Sequence, residues 1–339
     1  MNANPINASK NKNIQPPPYY ILSVACPLCG KSSEQILVRP RRVRRAKIEN
    51  DLFQWVPIWT GTKNSDQFPN VRPFDLGVLH CPACGFTETQ QTFRSLDKVK
   101  YPNARTLKQI LVLKKLIQRD GPLRALVKGI NPIDPTLYSA FMIQVAALAI
   151  QMLPHPEIRD FTRIGNCAVR IARFHLDRLH YGGPCWETPE SVALPAVSPL
   201  ASAFEKILED LKPIKEAWSL IPQSYNEALK IAIDAFGVAL DRGFPGETSL
   251  KRIELSNQRA HLVGETGDHL KAQSLLEDLV IQIDELKENW ESETGHPKET
   301  MDDLDHTWSL QDQLLKLDHF RKVTTELLKI LGKRLSEAA

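Results

Sequence analysis

The chain has 339 residues, 42% of them hydrophobic and 24% charged, with a formal net charge of +3. This is ordinary soluble globular material, long enough for two domains or for one small module on a larger helical body. A near-balanced charge singles out no partner class, so any preference has to come from how the charges are distributed.

Residues 1–18 are rich in Asn, Lys and Pro and end in Pro16-Pro17-Pro18. They lack the apolar core of a signal peptide, so they are expected to form a disordered leader, and a cytoplasmic location is the default. Next, Tyr20-Ile21-Leu22-Ser23-Val24 reads as a strand leading into Cys26-Pro27-Leu28-Cys29-Gly30. A second β-like run, Phe74 to Leu79, leads into Cys81-Pro82-Ala83-Cys84-Gly85, and Ile36-Leu37-Val38 is a further candidate strand between them. The segment also carries Arg39, Arg41, Arg42, Arg44, Arg45 and Lys47 with no acid among them, followed by Phe53, Trp55 and Trp59. Gly61 to Asp66 and Pro69-Asn70 mark loops.

The two Cys-Pro-x-Cys-Gly segments carry the most specific chemistry in the chain. In each, proline fixes φ after the first cysteine, and glycine after the second lets the backbone fold under an ion without a Cβ clash. Such turns bring sulfurs about 3.5–4 Å apart, as tetrahedral bonds of about 2.3 Å to one zinc ion require. Cys26, Cys29, Cys81 and Cys84 are therefore expected to hold one Zn2+ per chain. Disulfides are the competing reading; a chain without a signal peptide, with only Cys167 and Cys185 besides these four, argues for reduced thiols. A rubredoxin-like iron carrier uses the same turns, but the long stretch between Cys29 and Cys81 exceeds a minimal carrier domain. Four sulfurs fill a tetrahedral ion, so the site is expected to be structural. The layout is that of a zinc ribbon with an insertion, spanning residues 19–100.

After Tyr101-Pro102 the hydrophobic period becomes helical through residues 101–339. Leu107, Ile110, Leu111, Lys114 and Ile117 mix an apolar with a basic face. Thr136 to Leu153 is apolar nearly all round; Gln144, Gln151 and Pro154 make it a buried central helix rather than a membrane span. Ile158, Phe161, Ile164, Ala168, Ile171, His175 and Leu179 form a stripe at spacings of three and four, on which His175 reads as a core histidine rather than a ligand. A Pro/Gly-rich interruption spans 182–199. Helices resume at about Leu200–Leu220, where Pro213 is expected to start or kink a helix, then Tyr225–Asp241, Ser249–Val263, Asp268–Glu291 and Leu304–Leu335. Ala260, Gly267-Asp268, Ala272 and Leu276 fit either a degenerate tetratricopeptide hairpin or a generic antiparallel pair. Glu265 to Asp305 is strongly acidic and is expected to lie near, or compete for, the basic run.

The order of these N-terminal elements resembles the bacterial family catalogued as domain of unknown function 2225. In that family a CPxCG knuckle is followed by an Arg-containing stretch, an acidic residue, a loop, and an aromatic-x-x-x-Val lead into a second CPxCG and an aromatic. Here those elements are Cys26 to Gly30, Arg39 to Arg45, Asp51, the loop through Pro73, Phe74 with Val78, and Cys81 to Phe86. The resemblance covers about a quarter of the chain and brings no established activity. The dense arginine run departs from the pattern in detail.

No nucleophile elbow, zinc-protease helix or dinucleotide fingerprint is present. Gly30-Lys31-Ser32 resembles the end of a phosphate loop, but Ala25 stands where an earlier glycine is required. His80, beside Cys81, is expected to support the site or lie at the surface. Asp305-His306 and Asp318-His319 read as solvated helical charge. The expected fold is mostly α with a small N-terminal β zinc ribbon. The expected function is a non-enzymatic scaffold that binds a protein partner. The alternatives are nucleic-acid binding through Arg39 to Lys47 and, more distantly, iron-based electron transfer.

Overall fold

The computed structural model describes residues 18–39, 43–48, 55–59, 76–90, 93, 111–117, 121–127, 129–133, 136–180, 191–192, 201–217, 219, 221–244, 247–293 and 310–338. Residues 1–17 of the expected leader, Arg41, Arg42, Phe53 and most of the 182–199 interruption lie outside these residues.

Two antiparallel hairpins carry the cysteines. β1 (Tyr19–Ala25) pairs with β2 (Ser32–Val38), and β5 (Val78–His80) pairs with β6 (Thr87–Thr89), so each knuckle is the turn of its own hairpin. Between them in sequence, β3 (Val43–Ile48) pairs antiparallel with β4 (Trp55–Trp59) and parallel with β7 (Ser191–Val192). β7 belongs to the segment read from sequence as an interruption. A two-residue strand has no period of its own and exists only because β3 offers it a free edge.

The helical body then follows the hydrophobic pattern closely. Its elements are α1 (Gly121–Val127), α2 (Leu137–Met152), α3 (Phe161–His180), α4 (Ala201–Ala217), α5 (Tyr225–Arg242), α6 (Ser249–Glu265), α7 (His269–Glu293) and α8 (Leu310–Ala338). Residues 111–117 are helical as well. The chain is thus mostly α with small N-terminal β hairpins, as its periodicity implies. α2 is buried along its whole length from Ser139 to Gln151, and the Thr136 hydroxyl caps it by accepting from the Ser139 amide at 3.2 Å. Among the described residues no helix is long and apolar enough to cross a membrane.

Two sequence expectations need correction. The apolar stripe begins at Phe161, because Ile158 sits in a separate 3-10 turn and is exposed. Asp160 starts α3 there by accepting from the Arg163 amide at 3.2 Å. Of the two roles expected for Pro213, starting a helix is excluded, since it lies inside α4. The rest of α3 buries Ile164, Ala168, Ile171 and His175, with the His175 ring edge-on to Phe141 and Phe204. An aromatic box of this kind is the core role expected for that histidine.

One continuous core joins the knuckles to the helices. Val24, Cys26, Leu28, Cys81 and Phe86 share it with Leu123, Phe141, Ile164, Phe204 and Phe236. The C-terminal helices add their own clusters: Ala260, Ala272, Leu276 and Leu331 in one, and Leu250, Ile283, Trp290 and Leu317 in another. The small residues Ala260 and Ala272 are both fully buried, and they let α6 and α7 approach closely.

α3 and α5 meet where Gly165 faces Phe236, and a Cβ built on Gly165 would lie 2.2 Å from Cε1 of that ring. Gly165→Ala is therefore expected to destabilise the protein by about 1–3 kcal/mol or more, although alanine is the better helix former. Thermal denaturation of the variant checks this. Restoration by the compensating Phe236→Leu change would locate the cost at this crossing.

Candidate metal centre

The four-cysteine cluster is built from two short loops with the same backbone wiring. In the first, the Gly30 amide donates to the Cys26 carbonyl at 2.8 Å and the Cys26 amide to the Lys31 carbonyl at 2.9 Å. In the second, the Gly85 amide donates to the Cys81 carbonyl at 2.8 Å and the Cys81 amide to the Phe86 carbonyl at 2.7 Å. Gly30 and Gly85 close these loops at φ +74° and +80°, a region that penalises any Cβ. Gly85 is constrained twice, since a Cβ there would also lie 3.3 Å from Val127 of α1.

These loops bring together all four cysteines singled out by their spacing. Sγ of Cys26 lies 3.7 Å from that of Cys84, Sγ of Cys29 lies 3.7 Å from that of Cys81, and all four sulfurs fall within 4.8 Å of one another. A tetrahedron with bonds of about 2.3 Å has edges of about 3.8 Å, so the donor set fits one four-coordinate ion. The Leu28 amide points at Cys26 Sγ from 3.4 Å, an N–H···S bond that stabilises thiolate charge.

Left without a cation, such sulfurs must share protons. Hydrogen bonds from Cys26 and Cys84 hold the Cys81 thiol far down, at about 2, while the same bonding pushes Cys26 up to about 12 and Cys84 upward too. A divalent cation relieves this competition by replacing the protons.

The surroundings of the centre are polar in a way the sequence did not announce. His80 is fully buried, not at the surface; its Nδ1 lies 2.8 Å from the Thr87 hydroxyl, which donates onward to the Gly85 carbonyl at 3.0 Å. That chain requires Nδ1 to carry the proton. Burial pushes the imidazole down to about 4, so it is neutral at ordinary pH.

Two glutamines join the hairpins. Gln35 receives the His80 amide at 3.1 Å and donates to the His80 carbonyl at 2.6 Å. Gln90 does the same for Val38, at 3.0 and 3.4 Å. Each side-chain amide takes the place of a missing strand neighbour and satisfies backbone groups that would otherwise be buried unpaired.

Behind the second hairpin lies Glu88, whose side chain is 2% exposed. It receives Gln151 Nε2 of α2 at 2.6 Å, Arg163 Nη1 of α3 at 3.4 Å and the Thr89 amide at 2.7 Å. Burial raises the Glu88 carboxyl above its usual range, and the Arg163 charge only partly opposes this. Cys167 beside it is pushed up to about 12 by burial, so this thiol is inert. Asp160, just before α3, and Cys167 and Arg170 of α3 complete the charged surroundings.

The raised carboxyl has a pH consequence. The folded state holds the Glu88 proton more tightly than the unfolded chain does. The resulting stability is therefore full below the unfolded carboxyl value of 4.5 and is lost as pH rises through the higher folded value. Denaturation midpoints of wild type and Glu88→Gln, compared from mild acid to neutral pH, should diverge with wild type losing ground as pH rises. A pH-independent difference would contradict this.

Of the basic run, Arg39 and the residues of β3 are among those described. Arg39 stacks on Tyr20, its Cζ 5.1 Å from the ring centre. Arg44, Arg45 and Lys47 sit on β3 at register positions opposite Ile58, Pro57 and Trp55 of β4. Of the acidic stretch, Glu265 pairs with Arg173 and Asp284 with Arg321. Lys287, within the same stretch, pairs with Asp318, which is exposed.

Comparison with known proteins adds one match. Residues 19–109 match the model of the DUF2225 family, described as an uncharacterized protein conserved in bacteria. No curated protein and no solved structure matches the chain. The matched segment holds both hairpins and all four clustered cysteines.

Proposed function

We propose that this chain is a cytoplasmic, non-enzymatic zinc protein, in which a zinc ion held by four cysteines fastens the N-terminal hairpins to a helical scaffold that binds a protein partner. The observation that carries this reading is the closed donor set. Four thiolates within 4.8 Å fill a tetrahedral ion and leave no position for water or substrate. Zinc would supply charge neutralisation and a cross-link between Cys26, Cys29, Cys81 and Cys84, with no redox chemistry of its own. The helices would supply the partner surface.

A nucleic-acid-binding reading is second. It rests on the register that sets Arg44, Arg45 and Lys47 of β3 against the strand bearing Trp55 and Trp59. Phosphate contacts from such a strand would be strongly salt-dependent, and bases would stack on the aromatic residues.

The deciding experiment is a pull-down from the native host with the full zinc-loaded chain, identifying both protein and nucleic acid in the eluate. A stoichiometric protein partner that survives nuclease treatment supports the scaffold. RNA or DNA lost on raising salt, and lost in an Arg44→Gln/Arg45→Gln/Lys47→Gln variant, would put the second reading first.

A further inference from the structure

A polar pocket of about 160 Å3 lies where α5, α6 and α7 meet. α6 presents Arg252, Ser256 and Arg259 to it at spacings of four and three, which place them on one helical face. α7 contributes Asp278 and Gln282, and Leu240 of α5 closes one side.

The two arginines differ. Arg252 is engaged, its Nη1 donating to Glu247 Oε1 at 2.7 Å. Arg259 makes no ion pair or hydrogen bond among the described residues, and its Nε–H is buried without an acceptor. Its guanidinium rests against α5 at Gly237, where an added Cβ would lie 3.0 Å from Nη2 and 3.2 Å from Cζ. Glycine weakens a helix interior, so α5 loses propensity at the point where this guanidinium needs room.

We propose that this pocket is a carboxylate-binding site in which Arg259 is the principal ligand-holding residue and Ser256 and Gln282 are neutral donors. A guanidinium with an unused Nε–H presents a planar fork that matches a carboxylate in two parallel hydrogen bonds. Asp278 in the wall disfavours a dianion, which selects a carboxylate over phosphate. The carboxylate comes either from a small free acid or from an acidic side chain or C-terminus of a peptide. The site lies apart from the cysteines and stands independently of the zinc reading.

The test follows the Arg Nε–H resonances of the full-length protein by 1H–15N NMR, with Arg259→Lys identifying the signal. Acetate should shift the Arg259 resonance saturably, with a Kd on the order of 1 mM. Chloride at equal ionic strength should not. Gly237→Ala, with helicity confirmed by circular dichroism, should weaken acetate binding by about tenfold or more, and Asp278→Asn should tighten it and admit inorganic phosphate. A glutamate-containing peptide binding at least about tenfold tighter than acetate assigns the source to a peptide, whereas equal affinity assigns it to a free acid. The proposal is overturned if neither acetate nor the peptide gives a saturable shift. It is overturned equally if Gly237→Ala binds as wild type does, if Arg259→Gln, followed through its backbone amide resonances, binds as wild type does, or if Asp278→Asn alone moves the Arg259 resonance, which would mean that Arg259 pairs with its own wall. None of these outcomes changes the metal content or the pull-down result.

Discussion

Serine at Cys81 is expected to abolish metal loading and to loosen far more than the two hairpins. Elemental analysis should find one zinc per wild-type chain in colourless protein and essentially none in Cys81→Ser. Structural zinc is worth on the order of 10 kcal/mol in isolated finger peptides, comparable to the whole stability of a typical domain. Here Cys81 is fully buried in the same core as Leu123, Phe141 and Phe204, so the loss propagates into α1 to α4. Hydrogen exchange should therefore accelerate in α2 and α3, while α7 and α8, which pack in separate clusters, keep their protection. Two metal ions per chain, or full occupancy in a variant lacking both Cys26 and Cys29, would refute the single site. Stoichiometric iron with a reversible one-electron wave in native material would replace zinc by an electron carrier.

Glu265→Ala is expected to be the most damaging change outside the metal centre. Arg173 donates to Glu265 through both terminal nitrogens, at 2.8 and 2.5 Å, and Tyr225 adds its hydroxyl to the same carboxylate at 2.6 Å. Both charged side chains are wholly shielded from solvent. Burial opposes the Arg173 charge, but the facing carboxylate outweighs it and holds the guanidinium protonated. Removing the carboxylate leaves an uncompensated buried cation and should cost about 3–5 kcal/mol. Tyr225→Phe should cost about 1.5–3 kcal/mol, the range for one hydrogen bond to a charged group. The apolar pair Arg173→Met/Glu265→Leu should recover most of the loss, since two charges are then removed together. Urea denaturation of the four proteins checks the ranking. A double variant as unstable as Glu265→Ala would show that the pair contributes more than mutual neutralisation.

The contrast between these two sites shows what was legible in the sequence and what was not. The four-cysteine cluster could be read because cysteine, proline and glycine at fixed short spacing report a local turn, and the turn itself builds half of the cluster. The helical body was equally legible: α2 and α5 to α7 fall where the hydrophobic period placed them, since burial of one face is written along each helix. His175 could be placed by the same stripe. The start of α3 could not, because the apolar period runs on through Ile158 while the chain is terminated and restarted by Asp160.

The groups that no motif signalled are the polar ones whose partners are distant in the chain. Glu88 meets Gln151 and Arg163, Arg173 meets Glu265, and Gln35 and Gln90 bridge hairpins that begin far apart. Each is a single side chain on an otherwise ordinary element, so its sequence neighbours say nothing about it. The weak signal available was a charged residue at an inward position, as Arg173 is between Ala172 and Phe174 on α3.

The sequence by itself determined which four cysteines cluster and the succession of helices, because turn chemistry and hydrophobic period are local properties of the chain. Only the tertiary structure decided that the knuckles share a core with the helices, that β7 pairs with β3, that Glu265 meets Arg173 and Asp284 meets Arg321, and that Arg259 faces a pocket with no partner among the described residues. Those outcomes depend on which distant surfaces come together, and burial makes every polar group at such a junction either find a partner or carry the cost of lacking one.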